Sequence, residues 1–152
     1  MVGNVGVKMK ISTRTRYGIR ATIELANHSQ QGPLQLRIIA ERQGISVKYL
    51  EQLMAVLRSA GLVRSVRGAK GGYILARPAA DIRLSEVFHC LEGPVATSEC
   101  VENQDYCQRA IDCVARLLWM RVEKAINGVL ESVTLQDLVD QSKQPGIADY
   151  QI

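Results

Sequence analysis

Three cysteines in the second half of the chain have the residue type and spacing for metal or redox chemistry. Cys100, Cys107 and Cys113 are separated by six and then five residues, and all four cysteines lie within 24 of the 152 residues. This spacing differs from the Cys-x2-Cys pairs of zinc ribbons. Three thiolates on a loop leading into a helix N-terminus fit an iron–sulfur cluster, because the helix end stabilises negative charge. Cys90 lies on a predicted apolar helix face, which favours a buried small side chain.

The cysteine pattern leaves other uses open. A thiol–disulfide switch, a zinc site and cysteines without function are the alternatives to a cluster. Clustered cysteines in a chain that shows no export signal indicate a reducing, cytoplasmic compartment. A small thiol oxidoreductase would need a Cys-x-x-Cys pair or a cysteine beside a positioned histidine, and the sequence shows neither. We therefore expect no enzymatic activity.

A second group of residues is suited to reading DNA. Ser46, Lys48, Tyr49, Glu51 and Gln52 fall in the N-terminal half of one predicted helix, the part of a recognition helix that meets base edges in the major groove. Glutamine pairs bidentately with adenine, glutamate accepts from cytosine N4, and lysine favours guanine or phosphate. The alternative is an ordinary exposed helix face.

A glycine-rich stretch, Arg67-Gly-Ala-Lys-Gly-Gly72, follows that helix. Its glycines let the backbone approach a nucleic acid closely, and Arg67 suits a narrow minor groove. We expect Arg67, Gly68 and Lys70 to contact DNA; a flexible hairpin loop is the alternative. A nucleotide-binding loop is excluded, because neither phosphate-loop glycine pattern is present and these glycines precede a strand.

Helices and one hairpin must position these residues. Thr13 or Thr15 is expected to cap the first helix. Two alternating segments around the glycines predict a β-hairpin, which, placed after the helices, predicts a winged helix-turn-helix. The predicted elements are helices over 13–28 and 34–43, a helix capped by Ser46 and stopped by Gly61, and strands over 62–67 and 73–76.

The second half is predicted to add a long helix over 107–128. Its apolar stripe is longer than a winged-helix domain of about 65 residues can cover, which favours a homodimer, and dimers suit palindromic operators. The fold class is therefore mainly α with a small β-hairpin. The stripe comprises Ile111, Val114, Leu118, Val122, Ala125 and Val129.

The predicted organisation is a flexible extension over 1–8 (with Met9 an alternative start), the winged domain over 9–80, a linker helix and cysteine loop over 81–106, the dimerisation and C-terminal helices over 107–141, and a flexible tail over 142–152.

The net charge of +4 conceals two unlike halves. Residues 1–80 carry 13 basic and three acidic side chains, whereas residues 81–152 carry six basic and 12 acidic ones. A balance of +10 in the first half indicates a polyanionic partner, most simply double-stranded DNA. No apolar run reaches the roughly 18–20 residues that a membrane span needs, so no membrane partner is expected.

Three stretches together resemble the IscR-type family of bacterial winged-helix regulators, which includes IscR, NsrR, RirA and CymR. The resemblance covers Met9 to about Val139. It implies a dimer with crossed long helices, DNA contacts by the helix and hairpin residues above, and cluster ligation by the three cysteines. The matching stretches are MKISTRTRYG from Met9, IAERQGISVKYLEQL from Ile39 and GLVRSVRGAKGGY from Gly61.

The chain differs from the family pattern in its cysteine spacing and at the expected position of the fourth ligand. The first cysteine gap is one residue longer than in IscR. Arg116 stands where IscR has its fourth ligand, a histidine, and Arg16 stands where NsrR-like members supply an acid from the partner chain. A [2Fe-2S] cluster is favoured and a [4Fe-4S] cluster is the alternative. The open choices for its fourth ligand are Glu102, Asp105, Asp112, His89, a partner residue or a small thiol.

The expected function is a homodimeric transcriptional regulator, with a repressor favoured, that senses iron, redox state or nitric oxide through the cluster. The alternative is a winged-helix regulator without a cluster that uses a cysteine thiol switch or a protein partner.

Overall fold

The computed structural model describes residues 10–146. The predicted extension 1–8 and Met9 lie outside this range, as does the predicted tail beyond Gly146. Within it the chain forms seven α-helices and one two-stranded antiparallel sheet. The elements are α1 (Thr13–Asn27), α2 (Leu36–Gln43), α3 (Val47–Ser59), β1 (Val63–Val66), β2 (Gly72–Leu75), α4 (Leu84–Glu92), α5 (Glu99–Glu102), α6 (Val114–Ser132) and α7 (Leu135–Ser142).

The first helix begins at Thr13 as predicted, but its capping residue and the start of the second helix differ from the prediction. Ser12, rather than Thr13 or Thr15, caps α1 by accepting a hydrogen bond from the Thr15 backbone N–H. Thr15 is instead fully buried. The second helix begins at Leu36, because Leu34 pairs with Tyr73 of β2 through two backbone hydrogen bonds of 3.0 and 2.9 Å. Local periodicity carried no information about that pairing, which joins residues far apart in sequence.

The winged helix-turn-helix is confirmed. Gly44, with φ of 65°, ends α2 in the left-handed conformation that glycine adopts readily, and Ser46 then caps α3. β1 and β2 pair in register from Val63 opposite Leu75 to Val66 opposite Gly72. Gly72 must be glycine, because a Cβ there would lie 2.5 Å from the Leu34 carbonyl oxygen.

The core lies between α1, α3, α4 and α7. Its largest fully buried side chains include Ile39, Leu50, Leu57, Val87 and Leu135. The C-terminal helix is part of this core: Leu84 N–H donates to the Val133 carbonyl and Leu135 N–H donates to the Ile82 carbonyl, both at 2.9 Å. The chain thus leaves this core along α6 and returns to it with α7.

The long helix α6 begins at Val114, seven residues later than predicted. Residues 107–112 form turns instead, for example with Ala110 N–H donating to the Cys107 carbonyl at 3.0 Å. The apolar periodicity continued through these turns, so periodicity alone placed the helix start too early. None of the helices in the described residues is long and apolar enough to cross a membrane.

Candidate functional site

One side of the N-terminal half of α3 faces solvent. Ser46 Oγ accepts the Tyr49 backbone N–H at 3.1 Å, which completes the first turn. Lys48, Glu51 and Gln52 are exposed, and their spacing of three and four residues places them on one side of the helix. These three side chains therefore form an accessible polar face of the dimensions that a major groove admits.

Tyr49 differs from its neighbours because it is half-buried. Its ring meets the Tyr17 ring of α1 edge to face, with centroids 6.3 Å apart, and the Arg20 guanidinium lies 5.7 Å from the Tyr17 centroid. This packing fixes the orientation of α3 against α1. Tyr49 thus stiffens the face that Lys48, Glu51 and Gln52 present, while its role in contacting DNA stays a prediction.

The hairpin tip lies next to α3 in the chain and is basic. Arg67, Gly68 and Lys70 are all exposed, and a turn between them closes through Gly71 N–H donating to the Gly68 carbonyl at 3.0 Å. A Cβ at Gly71 would lie 2.1 Å from the Val66 carbonyl oxygen. The glycines therefore permit the tight turn that carries the two cationic side chains.

Two of the three acidic side chains in residues 1–80 are neutralised within the domain. Arg42 contacts Glu24 at 2.9 Å, and Arg37 contacts Glu41 at 3.5 Å. Such exposed pairs add little stability. They do, however, leave exposed Glu51 as the acid of residues 1–80 that has no arginine partner among the described residues. On a helix that entered a major groove, an unpaired carboxylate would suit a base edge better than a phosphate.

The three candidate ligand cysteines differ in their surroundings. Cys100 lies in α5, half-buried, with its Sγ 3.1 Å from Ser98 Oγ. Cys107 is exposed, and Cys113 is the half-buried residue that precedes α6. Cys90, predicted to be a buried small side chain, is half-buried in α4, where burial raises the pKa of its thiol.

The segment 100–113 has the donor chemistry for a cluster but not its geometry. Three thiols, which are soft ligands, sit on a loop that leads into the N-terminus of α6, and this set fits iron–sulfur chemistry. In residues 10–146, however, no three His, Cys, Asp or Glu side chains are grouped so that they could hold a metal ion. The three thiols are close in sequence without sharing a common centre.

The candidates for a fourth ligand are also dispersed. Glu102, Asp105 and Asp112 are exposed. His89 Nε2 lies 3.2 Å from Asn127 Oδ1, which holds the ring between α4 and α6. A side-chain hydrogen bond to Glu99 and the negative charge of that carboxylate raise the pKa of Tyr106.

Two polar contacts around this region escaped sequence reasoning. Arg116, noted only as a residue that cannot replace a histidine ligand, is buried and donates from Nε to the Cys100 carbonyl at 2.8 Å. Glu92 at the end of α4 accepts hydrogen bonds from Ser12 and Thr15 at the start of α1. A lone arginine three residues after Cys113 was the one available signal for the first contact; the second joins residues 80 positions apart.

Comparison with known proteins identifies the family. A family model, Rrf2, described as an iron-dependent transcriptional regulator, matches residues 11–141. Protein rrf2 of Nitratidesulfovibrio vulgaris is 45% identical over 131 residues, which are 86% of this chain and 87% of that protein. The chain belongs to the Rrf2 family.

Solved structures of CymR and IscR are similar to this Rrf2-family chain. CymR, described as the global cysteine regulator of B. subtilis, matches with a TM-score of 0.76 and 42% identity, covering 88% of this chain and 98% of that one. T. potens IscR matches with a TM-score of 0.75 and 43% identity, covering 91% and 92%. The resemblance to the IscR and CymR group is therefore confirmed. The Rrf2-family chain is a DNA-binding transcriptional regulator and not an enzyme.

Proposed function

We propose that this Rrf2-family protein is a cytoplasmic homodimer that binds a palindromic operator through α3 and the hairpin tip, acting as a repressor. The supporting observation is that Lys48, Glu51 and Gln52 are exposed on one side of α3, and that Arg67 and Lys70 are exposed at the hairpin tip that follows α3 in the chain. The helix face supplies base contacts in the major groove, while the basic tip reaches the backbone or the adjacent minor groove.

The apolar side chains at and just before the start of α6 support the homodimer. Val114, the first residue of α6, is 79% exposed, and Ile111 in the preceding turn is 87% exposed. Leu118 lies nine residues from Asn127, which contacts α4 through His89, so at about 100° per residue the two side chains point to opposite sides of the helix. The apolar side of α6 therefore faces away from its own domain, where a second copy can cover it.

A groove of about 540 Å³ continues this apolar surface toward α1. Its lining includes Ile11, Phe88, Val95, Ile126 and Val129, and Val129 belongs to both the groove and the exposed stripe. A helix from a second copy that covers the stripe would also fill the groove. A two-fold pair built this way carries two α3 helices, which matches two half-sites of a palindrome.

We further propose that Cys100, Cys107 and Cys113 bind an iron–sulfur cluster, with [2Fe-2S] favoured. When bound, a cluster supplies a redox- and nitric-oxide-sensitive centre. The chain's own contribution is the segment 100–113, in which single turns rather than a packed core hold the three thiols. Such a segment rearranges at small free-energy cost, and this is what gathering the thiols around one centre requires.

The ungrouped thiols favour a second candidate, a direct thiol switch without a cluster. The similarity to CymR, a cysteine regulator, points the same way. Exposed Cys107 is the accessible thiol in this scheme, and oxidation would replace cluster loss as the signal. The winged DNA reader is common to both candidates.

DNA binding is tested by fluorescence anisotropy of full-length protein with operator-length duplexes selected from a random pool. The proposal expects a two-fold symmetric selected sequence, and affinity that falls steeply with salt, because phosphate contacts release counterions. Selection of an asymmetric sequence by a monomer would contradict the homodimer and its palindrome.

The cluster is tested on protein purified without oxygen, by iron and sulfide content and visible absorption. The cluster proposal expects a brown protein with iron and sulfide, and loss of both in a Cys100→Ser variant. A colourless wild-type protein whose DNA affinity responds to diamide would favour the thiol switch. A Cys90→Ser variant is the matched control, because Cys90 lies outside the ligand set.

A further inference from the structure

The single helical turn α5, which carries Cys100, lacks enough hydrogen bonds to hold itself. Its closing bonds run from the Val101 and Glu102 N–H groups to the Ser98 carbonyl, and from the Asn103 N–H to the Glu99 carbonyl. One turn fixes several residues for few bonds and is unstable in isolation. No backbone N–H among the described residues is bonded to the Cys100 carbonyl.

Arg116 supplies the missing donor. Its Nε donates to the Cys100 carbonyl oxygen at 2.8 Å. The Arg116 side chain belongs to the first turn of α6, the helix that begins directly after Cys113, and it is the one buried side chain of α6. Both ends of the segment 100–113 are therefore attached to the same helical turn.

The burial of Arg116 needs a reason beyond packing. The residue is only 8% exposed, and the three ion pairs among the described residues all lie elsewhere. Burying a cation without a counterion costs free energy, so an apolar side chain of the same length would fill this space at lower cost. What an apolar side chain would lose is the hydrogen bond to Cys100.

We infer that Arg116 is the positioning residue of the cysteine segment, a clasp that holds the Cys100 turn on the first turn of α6. Its regulatory use rests on the proposed function, in which the cysteines sense a signal. Chemistry at Cys100 that displaces its backbone carbonyl then acts on α6 through the Arg116 guanidinium. Arg116 thus provides a direct mechanical link between one sensing thiol and the helix that we assign to dimerisation.

Hydrogen–deuterium exchange of the full-length, reduced, metal-free protein tests the clasp. Arg116→Met keeps the side-chain length without any donor, whereas Arg116→Lys keeps a charged donor, Nζ, one bond further along the side chain. Because the hydrogen bond from a charged donor is lost in Arg116→Met, the amides of residues 101–103 should exchange about tenfold faster or more in that variant. Arg109→Gln is the matched control, since it removes the same charge from an exposed position in the same segment. It should leave this exchange unchanged.

The pattern among variants separates the clasp from other roles. Wild-type exchange in Arg116→Met would overturn the clasp in favour of packing, whereas slower exchange in Arg116→Lys than in Arg116→Met would support a donor role at this position. Unchanged exchange in peptides from α1 and α3 verifies that the variants fold. If wild-type protein takes up no iron and sulfide while Arg116→Met still loosens residues 101–103, the cluster proposal fails and the clasp stands. If the wild-type protein takes up iron and sulfide while residues 101–103 exchange at the wild-type rate in Arg116→Met and Arg116→Lys, the clasp fails and the cluster proposal stands.

Discussion

The carboxylate of Glu92 accepts hydrogen bonds from both the backbone N–H and the side-chain hydroxyl of Ser12, at 3.1 and 2.6 Å. Buried Thr15 donates its hydroxyl to the same carboxylate oxygen. Glu92 therefore connects the end of α4 to the start of α1. Since the cysteine segment follows α4, this contact ties the helix before that segment to the first helix of the winged domain.

We expect Glu92→Gln to destabilise the protein by about 1–2 kcal/mol at pH 7, because hydrogen bonds to a charged acceptor are stronger than those to an amide. Burial alone would raise the pKa of Glu92, but the hydrogen bonds from Ser12 and Thr15 outweigh it and hold the pKa below its ordinary value of 4.5. The measurement is urea denaturation at several pH values.

The sign of the pH effect follows from this lowered pKa. Unfolded Glu92 binds its proton at a higher pH than folded Glu92, so its contribution is complete above about pH 4.5 and is lost as the pH falls through the folded value. The difference in the free energy of unfolding between wild type and Glu92→Gln should therefore become smaller below about pH 4.5. Glu102→Gln, at an exposed position, is the control, and its free energy of unfolding should equal that of wild type.

Gly18→Ala should loosen the packing of α1 on α4. A Cβ at Gly18 would lie 2.3 Å from Leu91 Cδ1, and Leu91 is only 5% exposed, so the leucine has little room to move. We expect a loss of about 1–3 kcal/mol in the free energy of unfolding. Thermal or urea denaturation measures it, and the Gly18→Ala, Leu91→Ala double variant should lose less than the sum of the single changes. Strict additivity would contradict the contact.

Lys70→Ala and Gln52→Ala should weaken DNA binding in different ways. Removing the Lys70 cation from the hairpin tip should lower affinity for all sequences and reduce the slope of log affinity against log salt by about one. Loss of Gln52 should instead cost about 1–3 kcal/mol at one base position in each half-site and leave the salt slope unaltered. Anisotropy titrations over a salt series, on the selected operator and on single-base variants, distinguish the two effects.

Leu118→Glu should convert the protein to a monomer. Leu118 is half exposed on the apolar side of α6, and a carboxylate buried between two copies would be unpaired. Light scattering after size-exclusion chromatography gives the mass directly. Lys124→Glu places the same residue on α6 away from the apolar stripe and should remain dimeric. A Leu118→Glu protein that stays a dimer would show that this surface is not the interface.

Helix and turn positions of the DNA reader could be predicted because their signals are local. Ser46 as a cap, Gly44 as a stop and the glycines of the hairpin each act within a few residues of themselves. The observed start of α2 differs from the predicted one because of a residue distant in sequence. Leu34 pairs with Tyr73 of β2, so the helix begins after Leu34. In the cysteine segment, apolar periodicity could not distinguish turns from the first turns of α6.

The winged helix-turn-helix, the basic first half and the positions of the three thiols are all evident in the amino-acid sequence, because propensity, periodicity and charge are properties of short segments. The contacts of Glu92 with Ser12, of Arg116 with the Cys100 carbonyl, and of α7 with the core are evident only in the folded chain. Such contacts form because some buried polar groups have no hydrogen-bond partner nearby in the sequence. Their partners are residues that come close only when the chain folds.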